Sequence, residues 1–190
     1  ESEMYINDMR AFIASRIHCP TKNVFIVQNA TDAINCIAKS IVWKAGEVIL
    51  LPNIAYASIR KTIHIQINIT AADLASSEAF QLKVEDFVNS YPKKIKMVVL
   101  DHISSITGTT LPVETLREFF AEKGIIFIVD GAHAPGNIDF SIADIAPNAY
   151  FGNFHKWSFC PKSASFLYID DKLREVVKPA ITGNFHGEGP

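Results

Sequence analysis

An α/β fold three layers thick is predicted for this chain, with helices on both faces of a mainly parallel sheet of seven strands, the last of them antiparallel. Three observations predict it. Short apolar runs rich in Val, Ile and Phe alternate with segments whose apolar residues recur at helical spacing. Ile125 to Val129 is an unbroken run of branched and aromatic apolar residues, the pattern of a strand buried on both faces of a parallel sheet. Only Gly152 to Ser163 joins the last two strands, about 12 residues without a helical pattern. A parallel crossover needs a packed helix, so the final strand must run the other way.

Each element follows in order. Met4 to Ile17 places Met4, Ile6, Met9, Phe12, Ile13 and Ile17 along one helical face, and Pro20 ends the segment. Val24 to Val27 is the first strand. Asn29 or Thr31 caps the helix Ala33 to Trp43, whose inner face carries Ile34, Ile37, Ala38 and Ile41. Gly46 closes that helix, Val48 to Leu51 is strand two, Tyr56 to Ile63 is helical, and His64 to Ile69 alternates as an edge-like third strand. Ala71 to Leu82, polar and partly Ser-rich, reads as irregular, and Val84 to Tyr91 as a helix stopped by Pro92.

Ile95 to Leu100 is strand four, Thr107 to Pro112 a turn, and Val113 to Lys123 an amphipathic helix with Gly124 at its C-terminal end. Strand five is Ile125 to Val129. Ile142 to Ile145 is a short helical turn, Ala149 to Phe151 strand six and Ala164 to Ile169 strand seven.

Composition narrows the function classes. With 190 residues, 48% of them hydrophobic and 20% charged, the chain buries a core large enough for one globular domain spanning residues 1–190. A net charge of -2 and no basic block longer than Lys93-Lys94 argue against nucleic acid or an anionic membrane as partner. Cys19, Cys36 and Cys160 match neither a zinc site nor a disulfide framework, so they are expected to be reduced, mostly buried thiols of a cytoplasmic protein. Cys160, immediately before Pro161, is expected to be a packed small residue. The chain opens inside a helix and stops at Gly189-Pro190 without a closing element, so it is expected to be part of something longer.

The chemistry concentrates at two strand ends. Asp130 follows a fully apolar strand, where an unpaired carboxylate is costly, so it needs a cationic partner. Lys156 follows the next strand, between His155 and Trp157, in surroundings too apolar for an ordinary solvated lysine. Desolvation lowers a lysine pKa and frees the amine for Schiff-base chemistry. In α/β sheets the carboxyl ends of strands are where ligands bind. An amine and a carboxylate placed there suit pyridoxal phosphate, which needs an imine-forming lysine and an acid for its pyridine nitrogen. Asn29-Ala30-Thr31 at a helix start is a candidate phosphate site, with Asn153 and His155 as further donors.

Four ordered segments, "FIVQNATDAIN", "LDHISSITGTTLPVETLREF", "VDGAHAPGNIDF" and "YFGNFHKWSFCPKSASFLY", carry a resemblance to the class V aminotransferase family of fold type I pyridoxal-phosphate enzymes. Within it the chain is most similar to the branch of isopenicillin N epimerase and the cysteine desulfurases. The resemblance implies Lys156 as the Schiff-base lysine, Asp130 as the partner of the pyridine nitrogen, and His133 in place of the Gln or His at the ring hydroxyl. It implies Ala30 and Thr31, with Asn153 and His155, around the phosphate. Tyr56 would stack on the ring, although Ala55 departs from the family's usual neighbour, and Ser105 stands where desulfurases carry an Asn near the ring hydroxyl. His102 is read as a structural histidine below the site. The resemblance further implies an amino-acid substrate, a homodimer, and a small C-terminal domain and N-terminal segment not visible here. Racemisation, transamination and C–S cleavage all remain open, because fold and cofactor do not fix reaction type. Two other readings stand beside it: a truncated, non-catalytic homologue with a binding or regulatory role, and a metal-dependent hydrolase using Asp130, His133 and His155, which would require the third of its ligands to be well placed and leaves Lys156 unexplained.

Overall fold

A computed structural model of the chain describes residues 2–56 and 64–180. Helix α1 (Ser2–Arg16) leads into β1 (Val24–Val27), and α2 (Ala30–Ser40) into β2 (Val48–Pro52) and β3 (His64–Ile67). Helix α3 (Ser77–Ser90), β4 (Ile95–Asp101), α4 (Arg117–Glu122) and β5 (Ile126–Gly131) follow, and then α5 (Ile142–Ile145), β6 (Ala149–Asn153), β7 (Ser165–Ile169) and α6 (Asp171–Arg174). The sheet has seven strands in the order β1-β7-β6-β5-β4-β2-β3. Pairings from β6 through β5, β4 and β2 to β3 are parallel, and β7 runs antiparallel to both β6 and β1. The reversal inferred from the short lysine loop is therefore present.

Side chains alternate between two cores, one on each face. Val98, Leu100, Val129, Tyr150 and Phe166 pack on one face against Ile13 of α1, Ile17 just after it, Phe80 and Val84 of α3, Phe120 of α4 and Ile142 of α5. Their strand neighbours Met97, Val99, Ile128, Phe151 and Leu167 pack on the other face against Ala33, Ile34 and Ile37 of α2. The result is the expected sandwich of three layers.

Several boundaries differ from expectation. Helix α2 begins three residues early, because the Asn29 side chain accepts from Asp32 N at 2.9 Å and caps the helix at once. It stops at Ser40, where Ile41 turns extended. Gly46 instead makes the turn into β2, with φ +84. The stretch expected to be irregular contains the first turns of α3. Ser76 is its N-cap, accepting from Ala79 N, and Phe80, Val84 and Val88 form a buried stripe at a spacing of four. The Val113 segment starts as a 3-10 turn over Val113–Leu116 before α4. Only the last turns of α1 reach the sheet: Ile13, Ala14 and Ile17 are buried, whereas Met4, Ile6, Met9 and Phe12, expected on the inner face, are exposed. Of the helix expected over Tyr56 to Ile63, only Tyr56 lies among the described residues. All three cysteines are unpaired; Cys36 is buried, but Cys160 is exposed because the loop carrying it stands above the sheet end.

Candidate active site

The parallel strands β4, β5 and β6 end side by side, and the cleft above their carboxyl ends has a volume of about 160 Å³. Its walls are Asn29, Ala30, Thr31, Tyr56, Asp101, Ser105, Asp130, Ala132, His133, Asn153, His155 and Lys156. All nine site residues read from the sequence thus converge on one cavity. They come from five separate stretches of chain: the start of α2, the turn after β2, and the ends of β4, β5 and β6 with the loops that follow them.

Asp130 forms the floor. It is 3% exposed, and its Oδ1 accepts from Ala132 N at 2.9 Å. Burial raises its proton affinity, and the Ala132 hydrogen bond and the charge of Lys156 oppose that rise. Register places Asp101 directly opposite Asp130 on the neighbouring strand, so the two carboxyls share one face of the sheet. Asp101 is also 3% exposed, and its Oδ2 is fully buried with no hydrogen-bond partner among the described residues. Burial and then the nearby Asp130 charge push the Asp101 carboxyl well above the ordinary carboxylate range.

Lys156 is half-buried in the turn after β6. Its Nζ lies 3.1 Å from His133 Nε2 and 5.9 Å from the centre of the Tyr56 ring. Burial lowers its pKa, with Asp130 and Asp101 pulling the other way. Burial, followed by the Lys156 charge, lowers that of His133 as well. The carboxylate expected to sit near the lysine is in place, as is the aromatic ring.

The start of α2 is tied to the lysine strand. Asn153 Oδ1 accepts from Ala30 N at 3.0 Å and from Ser165 Oγ at 2.8 Å. Because Ser165 Oγ donates its proton there, His155 Nδ1 is the donor in the 3.2 Å contact with that oxygen, and Nε2 is the ring nitrogen left for a ligand. Asn153 keeps its Nδ2 as a donor. The Ala30 N–H, expected to meet an anion, is engaged by Asn153 instead. Ser105 lines the cleft from the loop after β4, and Tyr56 is about half exposed at the mouth.

The opposite sheet face supports this floor. His102 is buried there, with Nδ1 at 2.9 Å from Tyr150 Oη and Nε2 at 3.7 Å from Glu114 Oε1. This is the structural role read for His102. A Cβ on Gly131 would lie 2.1 Å from Cζ of Tyr150, so only glycine lets the Tyr150 ring pass under the end of β5. Two participants were not read from the sequence, Asp101 and Ala132, whereas Asn29, read as a cap and as part of the helix-start site, is the cap and lines the cleft. The signal for Asp101 was available, since two successive apolar strands each end in Asp. Among the described residues no group of three or more His, Cys, Asp or Glu is placed to hold a metal ion, which leaves the hydrolase reading without its ligand set.

The model of the aminotransferase class-V family matches residues 1–188. The chain belongs to that family. Among curated class-V relatives, a putative L-cysteine desulfhydrase 1 of Oryza sativa subsp. japonica is 27% identical over 204 residues, covering 95% of this chain and 42% of that protein. Hercynylcysteine sulfoxide lyase of Schizosaccharomyces pombe (strain 972 / ATCC 24843) is 28% identical, covering 92% of this chain and 46% of its own length. Isopenicillin N epimerase of Streptomyces clavuligerus is 27% identical, covering 81% of this chain and 40% of that protein. The chain therefore spans less than half the length of these relatives. Among solved structures, the cystine C–S lyase C-DES in complex with cysteine persulfide superposes with a TM-score of 0.82 at 20% identity, over 96% of this chain and 50% of that one. A C-DES mutant with glycine covalently linked to its PLP cofactor gives a TM-score of 0.84 at 18% identity, over 96% of this chain and 49% of that one. These two show a shared fold.

Proposed function

We propose that this chain holds pyridoxal 5'-phosphate and acts on an amino acid, with cleavage of a C–S bond the chemistry best supported among lysis, epimerisation and transamination. The observation that carries the reading is the half-buried Lys156 amine, bonded to His133 above a floor of buried carboxyls, in a cleft that also receives the start of α2. The names of the relatives, desulfhydrases and a sulfoxide lyase together with an epimerase, support the order of preference. A homodimer in the cytoplasm is the assembly and setting we propose, the latter in keeping with three unpaired cysteines.

The residues present fit that cofactor. Two buried carboxyls on one side of a cleft, one of them with an unpartnered oxygen, give the floor an excess of acceptors that a protonated ring nitrogen complements. When bound, the cofactor supplies a sink for the electron pair left at the substrate's α-carbon. Asp130 holds a proton at the ring nitrogen. Lys156 provides the amine that carries the cofactor and, once released, moves a proton at the α-carbon. Tyr56 would cover the ring, and His133 and Ser105 would stand toward its hydroxyl. Thr31, His155 and the Asn153 Nδ2 donor would surround the phosphate at the start of α2, where the helix dipole favours an anion.

The test is borohydride reduction of the full-length protein with pyridoxal phosphate, followed by peptide mapping. The reduced adduct is expected on Lys156 and is lost in Lys156→Ala. An adduct on a different lysine, or none, would overturn the assignment.

A further inference from the structure

Trp157, next to the lysine, makes a hydrogen bond that decides the state of its neighbours. Its indole Nε1–H donates to His133 Nδ1 at 3.1 Å. An indole nitrogen is a donor only, so Nδ1 is an acceptor, and a neutral imidazole with an acceptor at Nδ1 carries its proton on Nε2. That Nε2 is the atom 3.1 Å from Lys156 Nζ. The Nε2–H therefore donates to Nζ, and Nζ accepts only as a neutral amine, because an ammonium has three donors and no lone pair. An imidazolium would set N–H against N–H at the indole. A lysine ammonium would do so at Nε2.

We propose that Trp157 is a positioning residue that fixes His133 in its Nε2–H tautomer and thereby holds Lys156 as a neutral amine, ready to bond a carbonyl carbon. The inference rests on the reading of Lys156 as the cofactor lysine. Trp157 is 49% exposed, so core packing does not explain its place. Its backbone is held from below by Gly136, at φ +82, where a Cβ would come within 2.8 Å of the Trp157 carbonyl carbon and 2.6 Å of Ser158 Oγ. The groups facing the amine are His133, the Tyr56 ring, and Asp130 and Asp101 at the strand ends. The two acids favour an ammonium, and burial, the larger influence, favours the amine. Burial likewise keeps His133 neutral.

The test uses the full-length protein, first free of cofactor. Nitrogen-15 NMR of the imidazole at neutral pH is expected to show His133 protonated on Nε2 alone. Trp157→Phe, at a partly exposed position, is expected to give a mixture of tautomers. It is also expected to slow capture of pyridoxal phosphate by Lys156 about three- to tenfold, the factor one ordinary hydrogen bond is worth, and to move the pH dependence of capture upward. In a His133→Gln background the amide donates to Nζ without a tautomer to choose, so adding Trp157→Phe should leave capture unchanged. His133 carrying its proton on Nδ1 or on both nitrogens in the unmodified protein would overturn the proposal. So would an unchanged tautomer and capture rate in Trp157→Phe, or equal slowing in both backgrounds. Failure of any adduct to form on Lys156 in the unmodified protein would instead strike the cofactor reading, while the NMR measurement still decides the tautomer.

Discussion

Asp101 and Asp130 end neighbouring strands on one face of the sheet, both 3% exposed. Burial, joined at Asp101 by the neighbouring Asp130 charge, makes it costly to ionise both. Each binds its proton more tightly in the folded than in the unfolded chain. The sign of the pH dependence follows. Their contribution to stability is complete at pH values below the ordinary carboxylate pKa, and it is lost as pH climbs through the raised folded value. Asp101→Asn keeps the shape and removes one of these protons from the balance. Thermal unfolding from about pH 5 to about pH 9 is expected to show the variant gaining on the unmodified protein as pH rises, by at least about 1 kcal/mol or roughly 2–4 °C at the alkaline end. A constant difference across that range would mean that Asp101 is ionised throughout. Asp130 was legible in the sequence because it followed a fully apolar strand and had a lysine at the next strand end. Asp101 ends an apolar strand in the same way, but what sets it apart, a buried oxygen without a partner among the described residues, exists only once two strands come into register.

At the scale of elements, Asn153 is the joint between α2, β6 and β7. Its one carbonyl oxygen satisfies the Ala30 N–H and the Ser165 hydroxyl, and it is buried. Asn153→Ala leaves two donors without their acceptor, which is expected to cost about 1–3 kcal/mol in chemical denaturation. It should also weaken binding of pyridoxal phosphate more than binding of pyridoxal, since the start of α2 loses its tether to the lysine strand. Equal weakening of both would separate Asn153 from the phosphate. The sequence made α2 and its cap visible through the run Gln28-Asn29-Ala30-Thr31, yet its first turn was placed three residues late. Ala30 and Thr31 carry no apolar signal, and only the Asn29 cap makes them helical. Helix α3 was shortened for the same reason: Ser76 and Ser77 resemble loop chemistry until Phe80 is found packing with Val84.

For the molecule as a whole, sheet order explains why the site is rigid where it must be. Strands β4, β5 and β6 each have a neighbour on both sides, and their apolar residues are buried on both faces, whereas β1 and β3 form the two edges. The floor carboxyls and the lysine loop thus grow from the centre of the sheet. This plan was legible from chain order alone, since unbroken apolar runs mark central strands and the helix-free loop after β6 forced β7 to reverse. The exposure of the first half of α1 was not legible, because its helical periodicity indicates a face without saying what meets it. Local opening should follow the same geometry, as amides open most readily where one side of a strand is unpaired and few apolar contacts hold it. Hydrogen exchange of the full-length protein is expected to be slowest at Val98 to Leu100, Ile128 to Asp130 and Tyr150 to Gly152, and fastest among strand amides in β3. Cofactor loading is expected to slow exchange most in the loops after β5 and β6, because the central strands are already close to the limit set by global unfolding. Exchange at Ile128 to Asp130 as fast as in β3 would show that the floor is not preorganised, and the two carboxyls would then have to be brought together by the ligand itself.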